Sequence, residues 1–287
     1  MKYRVKDRFN NEYEIKESNT VRFFYGIVIG RLFVRIFSLP IFSKLVGCFL
    51  DSRLSRFKIN SFIKKNNIDM NLYEDRDYRS FNDFFIRKIK NIEFSKDKKV
   101  FISPCSSKLS CFKISDNGVY NIKNSYYTIK DLLNGNPVYK EYNGGYILIF
   151  RLEATDYHRY IYVDDGTKGK NIFIPGVLNT VRPIVLKHFN IYKRNSREYT
   201  ILNTNNFDKV VQVEVGAVLV GKISNKHEEY TFSKGEEKGM FEFGGSTIVL
   251  LVKKDVIDID QDIILNSKEN IETKVNIGER IGIKKKH

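Results

Sequence analysis

Several features that mark familiar protein classes are scarce or absent in this sequence. It has three cysteines, an odd number without the spacing of metal ligands, and four histidines. The cysteine usage argues against a disulfide framework and fits a reducing compartment. With so few thiols and imidazoles we expect no zinc or other metal site. The charged and polar N-terminus does not resemble a secretory signal peptide.

Long uninterrupted hydrophobic runs and phosphate-binding glycine loops are also missing. The most apolar stretch, residues 21–50, is interrupted by Arg22, Arg31, Arg35 and Lys44. No window therefore reaches the about 18 apolar residues that a membrane-spanning helix needs. Neither G-x-G-x-x-G nor G-K-[ST] occurs in the sequence. The sequence thus predicts neither a spanning helix nor a nucleotide-type phosphate loop.

What the sequence does contain is basic charge and aromatic bulk. Its formal charge is +15, from 49 Lys+Arg against 34 Asp+Glu. Such an excess favours anionic partners: nucleic acid, acidic lipid headgroups or phosphorylated substrates. The basic residues are dispersed without a nucleic-acid-binding signature, so we expect no nucleic acid partner. With 287 residues, 42% of them hydrophobic, the chain can bury a sizeable core in one large domain or two small ones.

The N-terminal third has a helical pattern. In residues 21–50 apolar side chains recur at helical spacing, and Pro40 predicts a break between two helices. The apolar face could lie in a lipid interface with its arginines at headgroup level, or it could pack on the protein's own core. The pattern continues through residues 51–93, where Ser80 or Asn82 is a candidate cap for the aromatic helix that follows.

From about residue 99 the pattern changes to short β runs separated by turn residues. We therefore predict an α+β fold: N-terminal helices, then a β-rich body of short, mostly antiparallel strands that carries the Gly-Ser pair at 245–246. The predicted division is an N-terminal helical, membrane-associating segment, 1–95, and a body, 96–287. One short helix is predicted at 128–134, and the candidate strands are 100–103, 108–114, 145–152, 159–163, 169–177, 200–203, 209–215, 218–223 and 246–253.

The stretch of greatest chemical interest is Gly244-Gly245-Ser246-Thr247, which leads into a β-branched apolar run. Glycine permits positive φ and close backbone approach, so Ser246 is predicted at a bend where a strand begins. Two interpretations stay open from these residues. The stretch is a glycine-bracketed turn into a core strand, or it places a serine hydroxyl to attack the carbonyl just before it.

Three further stretches are candidates for a site. His158, flanked by Asp156 and Arg159 after an apolar strand, suits an acid or base, or a structural histidine in a turn. Residues 213–221 predict a strand, a bend at small residues and a second strand close to another backbone or a ligand. Residues 102–108 predict a polar turn after a strand.

Residues 234–247 closely resemble the maturation segment of phosphatidylserine decarboxylases. Other matches follow in the family's order, and the resemblance extends over residues 20–283. The chain is thereby identified as a divergent member of this pyruvoyl-dependent, self-cleaving family. The other matching residues are Phe-Asn-Asp-Phe-Phe at 81–85 followed by Arg87, Asp-Tyr-His-Arg at 156–159, Asn-Ser-Arg at 195–197 and Val-Gly-Ala at 215–217.

The resemblance implies a proenzyme that cuts itself between Gly245 and Ser246. Ser246 attacks the Gly245 carbonyl, and elimination then separates a beta chain, 1–245, from an alpha chain, 246–287. Ser246 becomes a pyruvoyl group, the internal cofactor that acts as an electron sink when phosphatidylserine loses CO₂ to give phosphatidylethanolamine. The carried-over catalytic residues are Ser246, His158 and Asp156. Asn195 and Arg197 are the carried-over substrate-binding residues, with Arg197 suited to a phosphate or carboxylate.

The resemblance also implies a setting. The substrate is an anionic lipid, which accounts for the basic charge and for an interfacial helix. We expect peripheral association with an anionic phospholipid membrane, on the cytoplasmic side of the cell membrane. Folds of this kind usually form homodimers, so a homodimer is a further expectation.

Three positions depart from the family pattern, two of them at the activating residues. Ser106 stands where the family has the aspartate that activates the serine, and Ile161 stands where it has the activating histidine. A serine hydroxyl without an adjacent base is a weak nucleophile. The third departure is Arg182, which replaces an asparagine before a proline. The chain therefore either matures slowly, with His158 or another group as the base, or stays intact as a non-catalytic lipid-binding homologue. A basic nucleic-acid-binding protein is the remaining and least favoured alternative.

Overall fold

The computed structural model describes residues 2–9, 11–16, 40–123, 125–176, 195–216, 222–242 and 246–286. Short helices and many strands confirm the predicted α+β fold. The α-helices of this part are α1 (Pro40–Asp51), α2 (Phe57–Asn66), α3 (Phe81–Phe85), α4 (Ile129–Leu132) and α5 (Gln261–Lys268), and 3₁₀ turns lie at Arg53–Arg56, Met70–Leu72 and Pro137–Tyr142. The strands are β1 (Lys2–Lys6), β2 (Glu12–Lys16), β3 (Val100–Ile102), β4 (Ser107–Lys113), β5 (Tyr120–Ile122), β6 (Ser125–Tyr127), β7 (Tyr146–Leu152), β8 (Arg159–Ile161), β9 (Gly166–Lys168), β10 (Ile172–Ile174), β11 (Arg197–Thr204), β12 (Lys209–Val215), β13 (Ile223–Asn225), β14 (Tyr230–Phe232), β15 (Glu237–Phe241), β16 (Ser246–Val252), β17 (Ile257–Ile259), β18 (Glu272–Val275) and β19 (Arg280–Lys284).

One large sheet organises the body. Its strand order is β14-β9-β11-β12-β16-β7-β4-β18-β1-β2, and β10 pairs beside β11. Along this order β1 and β18 pair in parallel, and the other neighbours are antiparallel. Three smaller groups accompany it: β13-β15-β8, β17-β19-β3 and β5-β6. The predicted prevalence of antiparallel pairing is thus confirmed.

Strand β16 lies at the centre of this sheet, between β12 and β7. Every residue of β16 is buried. Because side chains alternate along a strand, Ile248 and Leu250 enter the core on one face, while Val249 and Leu251 enter a second core on the other. Burial on both faces explains why this strand reads as a continuous apolar run.

The N-terminal helices form a small core of their own. Phe81, Phe84 and Phe85 of α3 are buried there, and Phe62 of α2 meets Phe81 edge to face at 5.2 Å. The Ser80 hydroxyl accepts the Asp83 N–H and caps α3, as the sequence predicts. The cap therefore fixes where this helix begins.

The predicted boundary near residue 95 stays a prediction. Residues 2–16, assigned from sequence to the N-terminal segment, form the hairpin β1–β2. That hairpin extends the large sheet of the body through β18. Helix α1 begins at Pro40, where proline costs no hydrogen bond, whereas the predicted helix before it lies outside the described residues.

Other elements differ from the sequence prediction. The strand predicted at 169–177 is wrong in extent: β10 covers Ile172–Ile174, because the Asn171 amide groups bond the turn at His227 and Glu228 instead of a strand. Helix α5 and several strands were not predicted, since each is short and weakly patterned; the missed strands include β14, β15, β17, β18 and β19. Three predicted features lie outside the described residues: the bend within 213–221, Arg182 and the Gly244-Gly245 turn. No helix in the described part is long and apolar enough to cross a bilayer.

Candidate active site

Ser246 is the first residue of β16, and its backbone pairs with Leu152 of β7. Its side chain is buried on the face of the sheet that also carries Ile248. Residue 245 lies outside the described residues, so the geometry of the predicted scissile bond is not on view. Pairing with β7 nonetheless fixes the backbone of Ser246 at the entrance of the central strand.

His158 lies directly against this hydroxyl. Its Nδ1 is 3.1 Å from Ser246 Oγ, and its Nε2 is 3.0 Å from the carbonyl oxygen of Glu153. A carbonyl can only accept, so we assign the ring proton to Nε2. Nδ1 then carries the lone pair and accepts the serine hydroxyl. This arrangement is a nucleophile paired with a base that a third group orients.

The surroundings of His158 keep its imidazole neutral. The ring is fully buried and stacks on Phe85, with 3.9 Å between ring centroids. Burial first, and then the positive charge of Arg87, lower the pKa of His158 to about 3. The neutral form that can accept a proton therefore persists across the physiological pH range, but a base with so low a pKa holds that proton only briefly.

Asp156 acts on this pair through the loop that carries His158. Its two carboxylate oxygens each lie 2.8 Å from Lys108 Nζ, and one of them accepts the Glu153 N–H. Burial disfavours the charge of Lys108, but Asp156 and Glu153 outweigh it and raise the pKa of the lysine. These contacts fix the Glu153 carbonyl that orients His158. In this structure Asp156 thus holds the loop of His158, and the catalytic role predicted for it stays a prediction.

The two activating positions that depart from the family pattern lie in neighbouring segments. The Ile161 N–H donates to the Pro104 carbonyl at 2.9 Å, two residues before Ser106. The Ile161 side chain is buried in the main core, and the Ser106 hydroxyl accepts the N–H of Ile277. The fold therefore brings both positions together, as one activating unit requires, but their present side chains supply no base.

The predicted substrate-binding residues make internal contacts. Arg197 is fully buried and donates to the carbonyls of Leu132, Asp131 and Asn195. These bonds join β11 to α4. The Asn195 N–H donates to Tyr127 Oη, and its Oδ1 has no hydrogen-bond partner within the described residues. A substrate-binding role for either residue stays a prediction.

Sequence reasoning missed several residues around the pair. Phe85 and Arg87 come from the N-terminal segment, and Lys108 comes from β4. Lys123 is a fourth: its Nζ lies 3.4 Å from the Val215 carbonyl, next to Thr247 in the sheet, and burial lowers its pKa to about 7. The one local sequence signal for these residues is that Arg87 follows the aromatic motif at 81–85. Among the described residues no group of three or more His, Cys, Asp or Glu could hold a metal ion.

Comparison with known proteins identifies the family. The family model for phosphatidylserine decarboxylase matches residues 81–283. A relative in Clostridium acetobutylicum, phosphatidylserine decarboxylase proenzyme 2, is 48% identical over 269 residues, covering 93% of this chain and 92% of the relative. A phosphatidylserine decarboxylase proenzyme of Clostridium perfringens (strain ATCC 13124) is 41% identical, covering 98% and 99% of the two chains, and one of Clostridium botulinum (strain Langeland) is 39% identical, covering 97% and 98%. Since family model and relatives agree over most of the chain, it belongs to the phosphatidylserine decarboxylase family.

Proposed function

We propose that this chain decarboxylates phosphatidylserine to phosphatidylethanolamine, using a pyruvoyl group that it makes from Ser246. The observation that carries the proposal is the contact between His158 Nδ1 and Ser246 Oγ at 3.1 Å. The relatives are themselves named decarboxylase proenzymes, and nothing among them favours the non-catalytic alternative.

Self-cleavage begins with Ser246 Oγ adding to the Gly245 carbonyl carbon while its proton passes to His158 Nδ1. The proton then goes to the Ser246 nitrogen as the C–N bond breaks, leaving an ester. Removal of the Ser246 α-proton expels the Gly245 carboxylate. One water then hydrolyses the resulting enamine, which releases ammonia and leaves the pyruvoyl group at the start of β16.

The residues around Ser246 fit such a group. Once formed, it supplies an electron sink for the loss of CO₂. His158 can hold or release a proton at Nδ1 beside that position, and the stacked Phe85 ring covers the imidazole. The Glu153 carbonyl keeps the ring in one orientation, so the proton is exchanged at a fixed site.

Maturation is expected to be slow. Ser106 and Ile161 provide no base, and the pKa of His158 is lowered to about 3, far from the value near the working pH that suits a general base. We therefore expect purified protein to contain intact chain that converts to two fragments over time.

Denaturing electrophoresis and intact-mass measurement test this directly. The 33.7 kDa chain should be cut before residue 246 into two fragments, 1–245 and 246–287. Phosphatidylethanolamine should then form from phosphatidylserine. Ser246→Ala should stay intact. Ser267→Ala is the matched control, since that serine is also buried but its hydroxyl bonds the Cys111 N–H.

A single full-length species after long incubation would contradict the proposal. Ser106→Asp combined with Ile161→His then separates two causes. Cleavage regained by the double variant means that only the activators are lost. Continued absence of cleavage favours a non-catalytic homologue.

We also propose that the protein binds anionic membranes peripherally on their cytoplasmic side, through an N-terminal apolar surface formed by Leu45, Phe49, Leu54 and Phe57. The side chains of Leu54 and Phe57 are 73% and 72% exposed. Lys58 Nζ lies over the rings of Phe49 and Phe57. Exposed apolar groups with cations beside them suit the headgroup region of an anionic bilayer.

Vesicle sedimentation tests this surface. Binding should require phosphatidylserine or another anionic lipid and should weaken when salt rises. Phe57→Ser should reduce binding, whereas Phe173→Ser should not, because Phe173 is also exposed but lies on β10 of the body. Equal binding by both variants, or binding without lipid preference, would contradict the assignment. Sedimentation of the free protein reports whether the expected homodimer forms.

A further inference from the structure

Arg87 has an unusual environment for a buried cation. Its side chain is fully buried, with the guanidinium over the rings of Tyr73 and Phe84 at 4.5 and 5.0 Å. Nη2 donates to Tyr73 Oη at 3.3 Å and to the Thr155 carbonyl at 3.2 Å. Within the described part of the chain, Nε and Nη1 have no hydrogen-bond partner, and no carboxylate forms an ion pair with this arginine.

In two other arginines of the body, every guanidinium nitrogen has a hydrogen-bond partner. Arg197 donates to three backbone carbonyls, and Arg151 is held by the Glu272 carboxylate. A guanidinium stays charged at every physiological pH, so burying it without an anion costs free energy that neutral partners recover only in part. Within the described residues, Arg87 is therefore a buried cation without a matching anion.

The position of Arg87 places that anion beside the Ser246–His158 pair. Phe85, two residues earlier, stacks on His158. Thr155, whose carbonyl accepts from Arg87, lies in the loop that carries His158. The charge of Arg87 is also felt at the imidazole, where it is the second cause of the lowered pKa. A ligand anion at Arg87 would lie within the reach of one small headgroup from the reacting serine position.

We propose that Arg87 binds the phosphodiester of the aminophospholipid headgroup; this rests on the proposed function. The serine headgroup carries two anions, a carboxylate and a phosphate. The carboxylate leaves as neutral CO₂, and a cation that grips it would stabilise the substrate against that loss. The phosphate keeps its charge from substrate to product. A fixed cation near the site can therefore hold it throughout without opposing the reaction.

The binding test uses the full chain as purified and needs no turnover. Thermal-shift titrations compare glycerophosphoserine, glycerophosphoethanolamine, serine and inorganic phosphate. Wild type should be stabilised by both glycerophospho compounds, and Arg87→Met should lose this shift. Arg87→Lys, which keeps the charge without the planar fork, should retain part of it. Lys88→Gln, an exposed neighbour paired with Glu74, is the matched control and should behave as wild type.

Folding of the Arg87→Met variant is itself a readout. Removal of a buried unmatched charge should leave the melting temperature of the ligand-free protein unchanged or higher. A large drop would mean that the guanidinium is matched without ligand, and this would overturn the proposal. A shift produced equally by serine would assign the carboxylate instead, and equal shifts with inorganic phosphate would remove the headgroup from the assignment.

Kinetics separate this inference from the proposed activity. If the chain decarboxylates phosphatidylserine, Arg87→Lys should raise KM about 10-fold to 100-fold, the range for one hydrogen bond to a charged group, with kcat nearly unchanged. Inhibition by short-chain phosphatidylethanolamine should weaken by the same factor. Unchanged product inhibition would contradict phosphate binding. Headgroup binding at Arg87 without any turnover would contradict the activity but not the site.

Discussion

Two groups of buried charges lie near the same face of the central sheet, and they differ in how fully they are matched. Lys238 Nζ contacts Glu214 Oε1 and Asn225 Oδ1, each at 2.8 Å, and both members of the ion pair are fully buried. Near His158, by contrast, Arg87 has two nitrogens without partners in the described part. We interpret the matched Lys238–Glu214 pair as part of the fold, and the unmatched charge of Arg87 as a binding site for an anion. The comparison therefore separates a structural cluster, Lys238 with Glu214 and Asn225, from a reactive cluster, Ser246 with His158 and Arg87.

The largest effect is expected in the reactive cluster. His158→Gln removes the group proposed to accept the Ser246 proton but keeps a neutral polar side chain. Self-cleavage should slow about 100-fold to 10,000-fold, the usual contribution of a general base. The time course of fragment formation on denaturing gels measures it. An unchanged rate would move the base role elsewhere, with Lys123 the next neighbour to test.

The structural cluster should respond in stability rather than in cleavage. Glu214→Gln leaves Lys238 buried without a counter-charge and should lower the free energy of unfolding by about 3–5 kcal/mol. Urea denaturation measures this in the Ser246→Ala background, where the chain stays in one piece. The double variant Glu214→Leu with Lys238→Met is the control and should regain most of the loss, since no isolated charge remains. A double variant as unstable as the single one would contradict this account.

The pH dependence of stability sharpens the comparison further. His158 has a pKa of about 3 when folded and about 6.5 in an unfolded chain. Between these values the unfolded state binds more protons, so this group makes stability fall as the pH drops below about 6.5 and adds no slope above it. From pH 6.5 to pH 5 the expected loss is about 2 kcal/mol.

The measurement compares urea denaturation of the Ser246→Ala protein with the same protein carrying His158→Gln. The second protein should lack this part of the slope, and the two should run parallel between pH 7.5 and pH 8.5. Equal slopes below pH 6.5 would show that the imidazole is not held neutral by burial.

The smallest effect concerns the helix that delivers Phe85 and Arg87. Ser80→Ala removes the cap of α3 and should cost about 1 kcal/mol of stability. Thr128→Ala removes the equivalent cap of α4, away from His158. Both variants should lose a comparable free energy of unfolding. Ser80→Ala should also slow cleavage, because α3 positions the Phe85 ring against His158. Equal cleavage rates in the two variants would mean that the cap of α3 does not control the site.

Local sequence signals predicted much of the frame. The β-branched run after Ser246 predicts a core strand, which is β16. Of the two candidate caps predicted for the aromatic helix, Ser80 is the one used. Each of these features depends on residues within one turn or one strand, so periodicity and capping rules reach them.

The site itself depends on contacts between distant segments. Ser246 and His158 are far apart in the chain, and their hydrogen bond arises from the pairing of β16 with β7. Phe85 and Arg87 reach His158 from the N-terminal segment, whose aromatic pattern predicted only a core. The internal use of Arg197 was equally hidden, because a sequence shows a charge but not the carbonyls that will surround it.

The central place of β16 has a consequence for the life of the protein after cleavage. If the proposed cut before Ser246 occurs, residues 246–286 still supply β16, β17, α5, β18 and β19, with β16 and β18 inside the large sheet. The two chains then stay together without a covalent link, because separating them requires opening the core. After complete denaturation they diffuse apart, and reassembly becomes a bimolecular, concentration-dependent event. Cleavage would thus make refolding depend on protein concentration. The precursor can refold at any dilution, whereas the two separate chains cannot reassemble at high dilution.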